Sequence, residues 1–231
     1  MVIMEDIVPY LTRISQEKDL PGRKYDNAMI LELIKKIGNN YAKEFLIDKD
    51  NRDQIQQMIY YFMNDKRFEG DLSKGIILQG TIGTGKSILM RIFSEKTPGL
   101  NFTLTKNFKY YTSIDIYGEF VKNGYAAIEH YSQYLKSEDV LIEWHNSIMI
   151  DELGTESTTA KDYGNSVNVM EMIIAKRYNN WQSCGQLTHF TTNLTPEEIE
   201  SNYGERIRSR FAEMCNPIIL VGTDRRRKRV Q

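Results

Sequence analysis

The stretch Gly80-Thr81-Ile82-Gly83-Thr84-Gly85-Lys86-Ser87 decides the reading of this chain. It fits the pattern G-x-x-x-x-G-K-[ST], and its flanks supply the context that the pattern needs. The short apolar run Ile76-Ile77-Leu78 precedes it, and a helical stripe of Ile88, Leu89, Ile92 and Phe93 follows. Glycines at these positions let successive backbone N–H groups turn inward around phosphate oxygens, and the following helix presents its positive N-terminal end to them. Lys86 reaches the outer phosphates and Ser87 can hold Mg²⁺. In a chain of 231 residues a chance match to this pattern is on the order of 1%. Gly80, Thr81, Gly83, Thr84, Gly85, Lys86 and Ser87 are therefore the expected nucleotide-binding residues.

Outward from the loop, apolar runs at 148–150 and 218–221 read as strands, with 110–116 and 187–191 as weaker ones. Helical patterns such as Val167, Met170, Ile174 and Tyr178 lie between them. Strands alternating with helices predict an α/β fold, a parallel five-stranded sheet flanked by helices. One helix start is explicit: Thr195-Pro196-Glu197-Glu198 offers a capping hydroxyl, a proline at the first helical position and a glutamate at the third. Upstream, Ile30, Ile34, Ile37, Tyr41 and Phe45 form one helical stripe and Ile55, Ile59 and Phe62 a second. The expected division is a small helical N-terminal region, 1–64, that binds a partner, and a core, 65–231, with the basic tail Arg225-Arg226-Arg227-Lys228-Arg229.

A phosphate loop alone leaves kinases, GTPases and motor-like ATPases open, so a second acidic site has to decide. Ser147-Ile148-Met149-Ile150-Asp151-Glu152 supplies it. An apolar strand ending in Asp151 puts a carboxylate where it can hold Mg²⁺, and the adjacent Glu152 can polarise an attacking water. A kinase has little use for that second acid, and the guanine-reading Asn-Lys-x-Asp sequence is absent. The pattern predicts ATP and Mg²⁺ as cofactors and an ATPase as the activity.

Composition narrows the setting. Hydrophobic residues make up 41% and charged residues 26%, which fits a folded globular chain, and the net charge of −1 restricts any nucleic-acid contact to a local patch. No apolar run approaches the roughly 20 residues of a membrane span, and residues 1–10 lack a basic stretch before an apolar one, so a soluble cytoplasmic protein is expected. Cys184 and Cys215 form no CxxC pair, and His130, His145 and His189 do not stand at zinc-ligand spacing.

With these residues in place, the chain resembles the IstB/DnaC-like AAA+ ATPases, a family of helicase loaders and transposition helper ATPases. The likeness covers about residues 75–226. It rests on the phosphate loop (Walker A), on Asp151-Glu152-Leu153-Gly154 (Walker B) and on Tyr163-Gly164-Asn165. It continues through Thr191-Thr192-Asn193 and Tyr203-Gly204-Glu205-Arg206-Ile207-Arg208-Ser209-Arg210-Phe211, the more discriminating segment. The resemblance implies an AAA+ core without a C-terminal lid domain, with Asn193 as the sensor amide that orients the lytic water. It implies Arg210 as a finger inserted by a neighbouring subunit, with Arg206 and Arg208 close by on the same stretch, and Arg226 as a match to a second sensor. It further implies an ATP-dependent homo-oligomer on single-stranded DNA that serves a replicative helicase in DNA replication, or a transposase in the alternative. A nucleotide-gated DNA-coating scaffold is a third reading. The zinc module carried at the N-terminus by some helicase loaders has no cysteines here to build it.

In that family the segment between the second and third core strands faces the central channel. Here it is 113–143, with Tyr117, Phe120, Lys122, Tyr125, His130, Tyr131 and Tyr134. Aromatic side chains can stack bases and lysine can neutralise phosphate. Tyr117, Phe120 and Tyr131 also fit helical core spacing, which leaves Lys122 and Tyr125 as the expected DNA contacts.

Overall fold

The computed structural model describes residues 27–94, 106–133, 147–162 and 165–225. The chain divides into two compact units, one of residues 1–69 and 87–107, the other of residues 70–86 and 108–231.

In the first unit, α1 (Asn27–Gly38) and α2 (Arg52–Phe62) carry the two apolar stripes. Ile30, Ile34 and Ile37 are buried on α1, and Ile55, Ile59 and Phe62 on α2. The first stripe was expected to run on to Tyr41 and Phe45, but the helix stops at Gly38 and Tyr41 is exposed. Phe45 instead folds back, and its ring occupies the space that a side chain at position 38 would need. The helix α3 (Lys86–Ile92) begins at the unit boundary. Phe93, just beyond it, stacks on Phe62 with ring centroids 4.8 Å apart, and the buried Lys106 lays its ammonium over the Tyr61 ring at 4.0 Å.

The second unit holds the sheet. Its strands are β1 (Gly75–Gly80), β2 (Lys109–Thr112) and β3 (Ile148–Leu153), a short hairpin of β4 (Ala160–Asp162) and β5 (Asn165–Val167), then β6 (Thr188–Thr192) and β7 (Cys215–Leu220). Five of them pair in parallel in the order β2-β3-β6-β1-β7, and the hairpin stands apart as an antiparallel pair. The expected strand at 110–116 is shorter than its pattern suggested. Thr112 caps α4 (Ser113–Asn123) by accepting the Asp115 N–H, so the apolar Ile116 belongs to the helix.

Four more helices follow: α5 (Tyr125–Ser132), α6 (Val169–Cys184), α7 (Pro196–Tyr203) and α8 (Glu205–Met214). With α4 they bury Ile116, Phe120, Ile128, Ile173, Ile174, Ile199, Ile207 and Phe211 together with Ile77, Ile150 and Phe190 of the sheet. Full burial of each such side chain is worth roughly 1.5–3 kcal/mol. The capping box at Thr195 forms as read: its hydroxyl accepts the Glu198 N–H, the Glu198 carboxylate accepts the Thr195 N–H, and Pro196 opens the helix. Because the five strands run parallel, their C-terminal ends share one edge of the sheet, where ligands of open α/β folds bind.

Candidate nucleotide site

The phosphate loop leaves β1 at Gly80, and Gly83 and Gly85 take φ of +82° and +98°, values that favour glycine. Gly83 is doubly constrained, since a Cβ there would meet the Asp224 carboxylate. The chain after β7 therefore runs against the loop, and the Arg225 N–H donates to the Gly83 carbonyl at 3.0 Å. Thr84 is buried and donates to the Thr81 carbonyl at 2.9 Å, while Thr81 and Ile82 are exposed. Lys86 is buried to 8% exposure, and its Nζ donates to the carbonyls of Gly80 (2.7 Å) and Thr81 (2.9 Å) and to Oδ1 of Asn193 (2.5 Å). Ser87, next in the chain, is half-buried in the first unit.

Asp151 and Glu152 lie at the end of β3, where the ladder slips. Ile150 pairs with Phe190 and Leu153 with Thr192, so two residues of β3 stand opposite the single Thr191 of β6. This β-bulge turns the two acids apart. Asp151 is buried at 2% exposure and Glu152 is exposed, with a left-handed φ of +57° that costs a non-glycine residue on the order of 1 kcal/mol. Asp151 accepts from two hydroxyls, Tyr110 on Oδ2 and Thr191 on Oδ1. Among the described residues no lysine or arginine forms a salt bridge with it. A buried carboxylate at a strand end is an oxygen donor of the kind a hard metal ion takes. The Glu152 carbonyl accepts from Ser113 Oγ and from Thr155 Oγ1, each at 2.9 Å, which ties the bulge to the start of α4.

The loop after the acids is anchored in turn by Glu156, a residue to which the sequence attached no role. Its buried carboxylate accepts the Gly154 N–H at 2.9 Å and the hydroxyl of Tyr203. Burial and the Glu156 charge push the Tyr203 phenol above its ordinary pKa, so it stays a donor. Tyr203 ends α7, and α8 follows directly with its three arginines. Arg208 pairs with Glu200 at 2.6 Å, Arg210 lies over the Tyr178 ring at 4.9 Å, and Arg206 is exposed.

Of the expected channel aromatics, Phe120 and Tyr131 are buried in the core, and Tyr117 is half-buried with its hydroxyl on the Thr159 carbonyl. Tyr134, Tyr163, Gly164, Arg226 and the rest of the basic tail lie outside the described residues. Lys122 and Tyr125 are exposed near the junction of α4 and α5, at the far end of α4 from Ser113 and about 13 Å along the helix.

A parallel five-stranded sheet in this order, with a phosphate loop after β1 and the acids at the end of β3, defines the AAA+ P-loop fold. Among solved structures the chain is similar to DnaI, with a TM-score of 0.51 and 16% identity over 78% of this chain and 89% of that one. It is similar as well to a candidate primosome component from Streptococcus pyogenes serotype M3, with a TM-score of 0.50 and 16% identity over 77% and 83%. A third is the replication initiator DnaA bound to AMPPCP and single-stranded DNA, with a TM-score of 0.50 and 13% identity over 78% of this chain and 49% of that one. At these identities the likeness establishes the fold. Neither a protein-family model nor a curated protein sequence matches the chain. No helix among the described residues is long and apolar enough to cross a membrane.

Proposed function

We propose that this chain is an ATP-hydrolysing AAA+ protein that assembles on single-stranded DNA and loads a replicative helicase during DNA replication. The observation that carries the ATPase reading is the bond from Lys86 Nζ to Asn193 Oδ1 at 2.5 Å, which brings the loop lysine and the sensor amide together. Three oxygen acceptors around one ammonium are a site that phosphate oxygens can take over. Lys86 binds the outer phosphates of ATP, and the N–H groups of Gly83, Thr84 and Gly85 cradle them. Ser87 and Asp151 hold Mg²⁺, which neutralises phosphate charge when bound. Glu152 accepts the proton of the attacking water, Asn193 orients that water, and Arg210 of a neighbouring subunit completes the site.

The client rests on the motif resemblance, with the fold shared with a candidate primosome component in support. Residues 1–64 are its docking region, and Lys122 with Tyr125 contacts DNA. The test is ATP binding and hydrolysis by the full chain and two variants. Lys86→Ala should lose nucleotide binding while keeping its melting temperature, because the lysine is a phosphate ligand on a glycine loop. Glu152→Gln should bind ATP and Mg²⁺ but accumulate as the ATP-bound oligomer. Unchanged ATP affinity in Lys86→Ala would remove the phosphate site, and full DNA-linked function in Glu152→Gln would favour the scaffold reading. The client is tested by ATP-dependent transfer of a purified replicative helicase onto circular single-stranded DNA. Capture of a transposase in place of the helicase moves the protein to transposition.

A further inference from the structure

The bulge at Asp151–Glu152 leaves both acids facing one residue of β6, and that residue is a threonine with no solvent exposure. The Thr191 hydroxyl meets both. It donates to Asp151 Oδ1 and accepts the Glu152 N–H at 2.8 Å, the amide that the bulge takes out of the strand ladder. One hydroxyl thus replaces the missing ladder partner and at the same time fixes one oxygen of the neighbouring carboxylate. The other oxygen, Oδ2, is held by the hydroxyl of Tyr110, which is only half-buried.

We propose that Thr191 is the positioning residue for both acids, fixing Asp151 by Oδ1 and Glu152 by its amide so that Oδ2 is the oxygen left for the metal. The inference rests on the nucleotide-site reading above. The two hydroxyls then have opposite roles. Thr191 is a fixed clamp, buried and committed in both directions, because its single proton goes to Asp151 and its lone pair takes the Glu152 amide. Tyr110 is a competitor, because its O–H occupies the oxygen that a cation needs and has to be displaced when the cation arrives. A valine at 191 keeps the shape of the side chain but leaves Oδ1 without its donor and the Glu152 N–H without an acceptor, so both acids are free to swing.

The experiment is a titration of the full-length protein with Mn²⁺ in the presence of AMPPCP, free Mn²⁺ being read by electron paramagnetic resonance, so that no turnover is required. Thr191→Val should weaken Mn²⁺ binding at least tenfold while its metal-free affinity for AMPPCP stays within twofold of wild type. Thr191→Ser, which keeps the hydroxyl, should stay within threefold of wild type for the metal. Tyr110→Phe should bind Mn²⁺ two- to fivefold more tightly, a direction that loss of fold does not produce and that keeps the assignment testable should the valine variant fail to fold. In hydrolysis, Thr191→Val should lower kcat as well as raise the metal requirement, whereas Tyr110→Phe should lower the metal requirement. Equal Mn²⁺ affinity in the valine and serine variants overturns the assignment, as does weaker binding by Tyr110→Phe. A wild-type protein that binds neither AMPPCP nor ATP overturns the nucleotide-site reading itself, a result distinct from either of these.

Discussion

The two ends of β6 each hold a buried cation, and they hold it in different ways. Before the strand, Arg177 of α6 is 1% exposed and donates to Thr188 Oγ1 (2.6 Å), the Tyr131 carbonyl (2.8 Å) and the Leu187 carbonyl (2.9 Å). After the strand, about 17 Å away for five residues, Lys86 meets two loop carbonyls and the Asn193 amide. Arg177 is sealed in: Asn180 and Gln186 close the end of α5 beside it by donating to the carbonyls of Ser132 and Gln133. Lys86 has exposed neighbours in Thr81, Ile82 and Asn193. A cation saturated by the backbone of packed elements holds the fold. One whose partners stand on an open rim can exchange them for phosphate. A parallel sheet makes this division natural, since one edge collects strand starts and the other collects strand ends.

The largest expected effect breaks the comparison at the open end. If the site is shared between subunits, Arg210→Ala should bind ATP yet lose hydrolysis by a factor of about 10³–10⁵. Glu152→Gln should be similarly slow for a different reason. A mixture should recover activity, because an Arg210→Ala subunit keeps its own acid and borrows the finger of a Glu152→Gln neighbour. Steady-state phosphate release across mixing ratios measures it, and no recovery in co-assembled mixtures would place Arg210 within its own subunit. The structure adds a condition. Arg210 rests on the Tyr178 ring by a cation–π contact, so reaching a neighbour means leaving that ring.

At the closed end, Arg177→Met sharpens the contrast. Burial pulls the Arg177 pKa down to about 9, so keeping the cation there already costs free energy. Removing the guanidinium nonetheless leaves two buried carbonyls and a hydroxyl short of a donor, a loss on the order of 3 kcal/mol. For a chain of this size that lowers the melting temperature by roughly 6–12 °C. Calorimetry should show the drop in Arg177→Met and almost none in Lys86→Ala. Equal melting shifts in the two variants would erase the distinction between the ends.

The open end was largely legible in the sequence because its signals are local. Eight consecutive residues specify the loop, an apolar run followed by two acids specifies the strand end, and four residues specify the capping box at Thr195. What escaped reading depends on partners far along the chain. The bulge that turns Asp151 inward and Glu152 outward exists only by pairing with β6, 40 residues on, and nothing near Thr191 or Tyr110 announces that their hydroxyls meet one carboxylate. Glu156 and Tyr203 meet across 47 residues. Arg177 had left a trace, since it falls on the stripe of Met170, Ile174 and Tyr178, where a solvated charge has no place. The three arginines of α8 look alike in sequence; only packing shows that Arg208 is tied to Glu200 and Arg210 to an aromatic ring.

The smallest effect concerns the two cysteines, one buried and one exposed, both near the start of β6. Cys215 opens β7 beside the Thr188 carbonyl at the sealed end, and Cys184 is exposed at the end of α6. Burial pushes the Cys215 thiol well above its ordinary pKa, because water does not reach the thiolate, and the nearby Lys74 charge offsets only part of that rise. The folded state keeps the proton that the unfolded state gives up, so this contribution is complete below about pH 8.5, the ordinary thiol value, and shrinks as the pH rises above it. Iodoacetamide at pH 8 should therefore label one thiol per native chain, at Cys184, and two after denaturation, as intact mass reports. Labelling of Cys215 in the native protein at the rate of Cys184 would mean that the start of β7 opens to solvent, and that the end of the sheet holding Arg177 is not sealed after all.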